Sequence, residues 1–233
     1  VNLLMLSSSR AGEEEYLAHA RQMIESHLAD CKNIVFISYA GVTINWPRYT
    51  AKVQAALPKL GISGIEAHED RHAALAQADA IMVGGGNTFN LLHQLYSNNL
   101  IECIQEQVSK GKPYVGWSAG ANICGNSIRT TNDMPIVFPP SFNALNLVPF
   151  QLNPHYSDYQ PPGHNGETRA QRIAEFCVLN PTMPVIGLRE GTALLRQGDT
   201  LTLQGDLPAV VFAKGSQNTI VPGQDLSAYL TPE

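Results

Sequence analysis

Charge is scarce in this chain: aspartate, glutamate, lysine and arginine together make up 15% of its 233 residues, and basic groups are outnumbered, for a formal net charge of -5. Without a broad basic surface the chain has nothing to hold a phosphate backbone, so nucleic acid is excluded as a partner. Long hydrophobic runs are also missing, and no segment reaches the length of apolar sequence that spans a bilayer. The opening "VNLLMLSSSR" lacks the basic region and extended apolar stretch of a signal peptide, which leads us to expect a cytoplasmic protein. Cysteine is sparse: Cys31, Cys103, Cys124 and Cys177 are scattered with no CxxC pair. They indicate neither a zinc site nor a disulfide framework, only free thiols in a reducing compartment. Internal repeats, low-complexity tracts and linker-like stretches are absent as well, so one domain is expected over 1–233. The sequence sets no oligomeric state.

What is present is a recurrence of short apolar runs: "VNLLML", "NIVFISYAG", "SGIEAH", "AIMVGGG", "PYVGW" and "PVIGL". Several have few polar residues on either face, the pattern of strands covered on both sides. Between them lie helical patterns over Glu13 to Asp30, from Pro47 to about Gly61, over Asp70 to Asp79, over Thr88 to Lys110 with a break near "SNN", and over Gly166 to Leu179. The alternation predicts an α/β fold with three layers, a mostly parallel sheet flanked by helices. After Gly191 the rhythm changes to glycine-bearing turns between short β-like runs, which predicts C-terminal antiparallel hairpins at the sheet edge. The segment from Thr130 to Pro162 holds seven of the fifteen prolines and follows neither period, and so long an irregular connection is usually functional.

"GWSAG", Gly116 to Gly120, matches GxSxG and follows the strand pattern "PYVGW". A serine on a sharp strand-to-helix turn is lifted above the carboxyl ends of the strands, and its neighbours must be small for the chain to fold back. Ser118 is therefore the candidate nucleophile. A hydroxyl needs a base within hydrogen-bond reach. Of the seven histidines, His19, His27 and His93 lie on helical patterns and read as structural. His155, in "LNPHY" within the irregular segment, is the first choice as base, and His164 the second. The string "HEDRH" matches HExxH, but His68 closes a strand-like run and Asp70 looks like a helix N-cap, so the two rings do not share a helical face and no metal site is expected. A carboxylate must orient the imidazole, and both Asp133 and Glu190 qualify. The glycine-rich "VGGGNT" lacks nucleotide-loop spacing but could supply an oxyanion hole from Gly85 or Gly86 together with the N–H of Ala119.

Taken together, "VGGGNTF", "GWSAGAN", "IRTTNDMPIV", "NPHY", "GETRAQRI" and "VIGLREG" resemble the peptidase E family of bacterial aspartyl dipeptidases, serine peptidases whose wider family also includes cyanophycinase. The resemblance implies a fold like that of class I glutamine amidotransferases and hydrolysis of Asp-Xaa dipeptides and short peptides with N-terminal aspartate, with no cofactor or metal. It matches Ser118 to the nucleophile, His155 to the base, and both Asp133 and Glu190 to the third member, with Asp133 first as the required group and Glu190 as a geometric partner. An aspartate-specific pocket needs a cation; Arg169 and Arg129 are the candidates, with Asn87 as a further substrate-binding residue. The alternatives are a cyanophycinase-like hydrolase of β-aspartyl-arginine and a non-catalytic anion-binding module.

Overall fold

A computed structural model describes residues 1–231; the last two residues of the expected 1–233 domain lie outside the described residues. In chain order the elements are β1 (Asn2–Leu6), α1 (Arg21–His27), β2 (Ile34–Ile37), α2 (Trp46–Ala56), β3 (Ile62–Gly64), α3 (Arg71–Gln77), β4 (Ala80–Val83), α4 (Thr88–Ser97), α5 (Ile101–Ser109), β5 (Tyr114–Trp117) and α6 (Ala119–Asn122). They continue with β6 (Gln151–Asn153), α7 (Arg169–Leu179), β7 (Val185–Gly187), β8 (Ala193–Gln197), β9 (Thr200–Gln204), β10 (Ala209–Ala213) and β11 (Ser216–Ile220).

A seven-stranded sheet runs in the order β3-β2-β4-β5-β1-β8-β9, parallel from β3 to β1 and antiparallel at β8 and β9. Its inner strands β2 and β4 are apolar and buried at every position because both faces are covered. Leu3 and Met5 of β1 pack with Val35, Ile37, Ile81 and Val83 on one face. Leu4 and Leu6 pack with Ile34, Phe36, Met82 and Trp117 on the other. The two-residue period of a strand thus feeds two cores, and each fully buried side chain of this kind stabilises the fold by about 1.5–3 kcal/mol. On the second face Phe36 and Trp117 stack with ring centroids 5.6 Å apart.

The two C-terminal hairpins take different sheets. The β8–β9 hairpin extends the main sheet beside β1, whereas β10–β11 joins a smaller sheet in the order β11-β10-β7-β6. That second sheet brings the irregular segment, through β6, next to β7, and so carries His155 and Glu190 toward the end of β1.

Local expectations are corrected at three places. The helix expected over Glu13 to Asp30 is confined to Arg21–His27. Before it Leu17 adopts φ 59° and its N–H bonds the Ser9 carbonyl at 2.7 Å, so turns rather than a helix bury Leu17 and Ala20. The run "SGIEAH" is strand only to Gly64, and Ile65–Ala67 turns into a 3-10 helix. The last helix starts at Arg169 instead of Gly166, where Thr168 and Gln171 form a reciprocal capping box. The break near "SNN" falls between α4 and α5, with Asn99 at φ 53°. No helix among the described residues is long and apolar enough to cross a membrane.

Candidate active site

β5 ends at Trp117 and α6 begins at Ala119, leaving Ser118 alone on the turn at φ 53°, ψ -113°. A non-glycine residue in that region is strained, and the surrounding packing has to hold it. The glycines on either side show how close the packing is. A Cβ on Gly116 would stand 2.2 Å from the Gly120 carbonyl oxygen, and one on Gly120 would stand 2.2 Å from that of Val83. The Ser118 N–H bonds the Leu6 carbonyl of β1 at 3.1 Å, and the Tyr114 hydroxyl donates to the Gly120 carbonyl at 2.7 Å. Backbone and side chain therefore fix the elbow from both ends.

The imidazole of His155 bridges two partners. Its Nδ1 lies 2.7 Å from Glu190 Oε1 and its Nε2 lies 2.8 Å from Ser118 Oγ. A carboxylate can only accept, so Nδ1 carries the proton and Nε2 accepts from the serine hydroxyl, the arrangement a general base requires. The Glu190 and His155 side chains retain 54% and 41% of their exposure, so the pair is screened by solvent.

His155 is itself at φ 55°, and a buried hydroxyl holds it there. Ser7, the first residue after β1, accepts the His155 N–H at 2.9 Å and donates to the Leu188 carbonyl at 2.8 Å. Its own N–H bonds the Thr192 carbonyl at 2.9 Å, while the Ser8 hydroxyl accepts the Gly191 N–H at 3.3 Å. Leu6, Ser7 and Ser8 thus register Ser118, His155 and the loop of Glu190 against one strand end.

The other expected residues divide. Asp133 is not brought to His155: its Oδ2 accepts the N–H of Thr88 at 2.7 Å and the Thr88 hydroxyl at 2.6 Å, so it sits on the first turn of α4 while Glu190 occupies the place beside the imidazole. Arg129 lies away from the cavity, over the Phe176 ring and bonded to Asn180 Oδ1 at 3.1 Å, so it is not brought to the substrate side. His164 does not line the cavity either. His68 precedes α3 in extended backbone and its Nε2 lies 3.0 Å from Ser63 Oγ, whereas His72 lies within α3. Among the described residues no group of three or more His, Cys, Asp or Glu side chains is placed to hold a metal.

A cavity of about 750 Å³ opens over the elbow, and Ser118, Ala119, Gly85, Gly86, Asn87, Asp133, His155 and Arg169 all border it. Among the described residues the backbone N–H groups of Gly85, Gly86 and Ala119 donate to no backbone carbonyl, which leaves three candidate donors around the nucleophile. Asn87 caps α4 through Oδ1 and donates from Nδ2 to the Met134 carbonyl at 2.9 Å. Arg169 opens α7 and is half-buried; its Nη1 reaches the His155 carbonyl at 3.3 Å and Asn153 Oδ1 at 3.4 Å, and it has no carboxylate partner among the described residues. Burial, then the nearby Arg172, lower its pKa below the usual guanidinium value, so a carboxylate arriving here would meet an uncompensated charge.

Comparison with known proteins then decides the family. The model of peptidase family S51 matches residues 3–204. The chain belongs to peptidase family S51. Curated relatives named peptidase E, from Shewanella oneidensis and Shewanella baltica, are each 57% identical, over 99% and 100% of this chain and 99% and 98% of theirs. A crystal structure of a peptidase from an acI-B1 Actinobacterium shares the fold at TM-score 0.72 and 19% identity, covering 97% of this chain and 96% of that one. As a member of S51 this chain is a serine peptidase.

Two cavity residues carried no sequence signal, Lys52 and Tyr49 of α2, because helical spacing after Pro47 does not say which side of the helix meets the elbow. Ser7 did leave one: a serine run directly after the apolar stretch Leu3–Leu6 stands at the carboxyl edge, where open α/β sheets bind ligands.

Proposed function

We propose that this S51 peptidase is a dipeptidase that removes N-terminal aspartate through an acyl-enzyme on Ser118. The observation that carries the reading is the unbroken Glu190–His155–Ser118 relay, with contacts of 2.7 and 2.8 Å, at the edge of a cavity also bordered by an arginine with no carboxylate partner among the described residues. His155 takes the serine proton as Oγ attacks the scissile carbonyl, and Glu190 holds the ring in the needed tautomer. The N–H of Ala119, with that of Gly85 or Gly86, receives the oxyanion; one such donor typically contributes about 3 kcal/mol to lowering the barrier. His155 then returns the proton to the departing amine, and water releases aspartate from the serine ester.

Arg169 accounts for the aspartate side chain, since a guanidinium fork suits a carboxylate and this one has no carboxylate partner among the described residues. Asp133 borders the same cavity with no cation among the described residues against it, and we assign it the substrate ammonium group. Four unpaired cysteines support work in a reducing compartment, the cytoplasm. The β-aspartyl-arginine alternative would need acidic groups for the substrate guanidinium beyond Asp133, and Val42, Ile44 and Ile136 line the cavity instead.

The test is a panel of Asp-Leu, Glu-Leu, Ala-Leu, N-acetyl-Asp-Leu and β-Asp-Arg, assayed with the intact protein and with Arg169→Met. The reading expects rapid cleavage of Asp-Leu alone, and a large loss of the Asp-Leu over Ala-Leu preference in Arg169→Met. Equal cleavage of Ala-Leu, or a preference untouched by the substitution, contradicts it.

A further inference from the structure

The charges bordering the cavity, the catalytic histidine apart, are two cations and one carboxylate: Lys52, Arg169 and Asp133. An aspartyl dipeptide carries the complementary set, two carboxylates and one ammonium. Arg169 and Asp133 meet the side-chain carboxylate and the ammonium in the function proposed above, which leaves the second carboxylate, the free C-terminus, without a partner and Lys52 without a role.

Lys52 stands in the middle of α2, and its Nζ lies 4.1 Å from the centroid of the Tyr16 ring. Among the described residues it forms no ion pair. The Tyr16 hydroxyl lies 3.4 Å from that of Tyr49, which in turn donates to the Gly85 carbonyl at 2.9 Å. Gly85 packs so closely on the elbow that a Cβ there would stand 2.9 Å from the Ser118 Cβ. A continuous wall of contacts therefore leads from the nucleophile, through the glycine loop and two phenols, to the lysine. Burial raises the pKa of both phenols, so this wall is neutral and Lys52 is its one full charge. Arg169 reaches the cavity from α7, on the side of the His155 carbonyl. Helix α2 and helix α7 thus each supply one cation, from different walls. Val42 and Ile44, in the loop leading into α2, line the cavity near the lysine's helix and offer apolar surface to the side chain of the leaving residue.

From this arrangement we infer that Lys52 binds the C-terminal carboxylate of the leaving residue, making the enzyme a reader of both substrate ends. The inference rests on the dipeptidase reading above. It gives a physical reason for a preference for dipeptides over longer chains: a third residue would put a neutral amide where the lysine meets a carboxylate. An ion at this half-open site contributes modestly, so the effect is a factor in kcat/KM and not an all-or-none switch.

The test compares Asp-Leu with Asp-Leu amide, substrates that differ only in the charge read by Lys52, in the wild-type enzyme and in Lys52→Met and Lys52→Arg. Wild type is expected to favour the free acid by about tenfold, equivalent to about 1.4 kcal/mol. Lys52→Met is expected to bring that ratio close to one by lowering activity on the acid alone, while Lys52→Arg keeps most of it. The Lys52 side is exposed, and an unchanged melting temperature shows that the variant is folded. A wild-type ratio near one, or a ratio that survives in Lys52→Met, overturns the proposal. Loss of the Asp-Leu over Ala-Leu preference is a separate failure: it sinks the aspartate reading, and the acid-to-amide ratio measured on Ala-Leu still judges Lys52.

Discussion

The hydroxyl of Ser7 accepts the backbone N–H of His155 at 2.9 Å across 148 positions of sequence, tying the base of the relay to the strand that also anchors the nucleophile. Because the hydroxyl is buried and also donates to Leu188, Ser7→Ala removes the partner of the part-buried His155 N–H and one of the two donors to the Leu188 carbonyl, the other being the Tyr156 N–H. We expect a stability loss of about 1–3 kcal/mol. We also expect kcat to fall about tenfold with KM little changed, because a small misplacement of the imidazole degrades the attack geometry. Urea unfolding and steady-state kinetics check the two effects, and an unaltered kcat would mean that His155 is held by other contacts.

Glu190 and Asp133 are predicted to fail differently. Glu190→Gln should lower kcat by about 10- to 100-fold, less than the loss seen for a fully buried triad carboxylate, because this pair is partly open to solvent. Asp133→Asn should act mainly on KM and should weaken the first turn of α4 by about 1 kcal/mol through its contacts with Thr88. Side-by-side kinetics decide the matter; a kcat collapse confined to Asp133→Asn would reverse the assignment.

The elbow was legible in the sequence because everything that makes it is local: a buried strand, a serine, and glycines spaced to let the backbone fold back. The choice between the two carboxylates was not. Glu190 meets His155 from 35 residues away only because β7 pairs with β6 in a second sheet, and no periodicity specifies which sheet a short strand joins. The same limit hid the parting of the C-terminal hairpins. The overextended first helix has another cause: Leu17 and Ala20 have the spacing of a helical stripe, yet turns closed on Ser9 bury them equally well.

Gly120→Ala should be among the most damaging small substitutions. The added Cβ would meet the Val83 carbonyl oxygen at 2.2 Å, a backbone atom, with no flexible side chain to move aside. We expect a loss of more than about 2 kcal/mol together with displacement of Ser118, visible as a lowered melting temperature and lost turnover in the same protein. A melting temperature equal to wild type would show that the elbow tolerates a wider approach.

Acid should destabilise the fold through His19 and His27. Burial is the first cause that lowers both pKa values below the ordinary 6.5; for His19 the nearby Glu14 and Glu190 partly oppose it. The unfolded chain therefore binds protons that the folded one refuses. The stability contribution is present above pH 6.5 and is lost as pH falls from there through the lower folded-state values. Replacing both residues with glutamine should flatten the melting temperature between pH 7 and about pH 5. An equally steep decline in that double variant would assign the acid sensitivity to other groups.

The central claim is that Ser118 is the nucleophile and that His155 activates it. Treating the intact protein with a fluorophosphonate and locating the adduct by peptide mass spectrometry tests both halves at once. The account predicts one adduct per chain, on Ser118, with labelling nearly abolished in His155→Gln. An adduct on a different residue, or Asp-Leu turnover retained by Ser118→Ala, would contradict it.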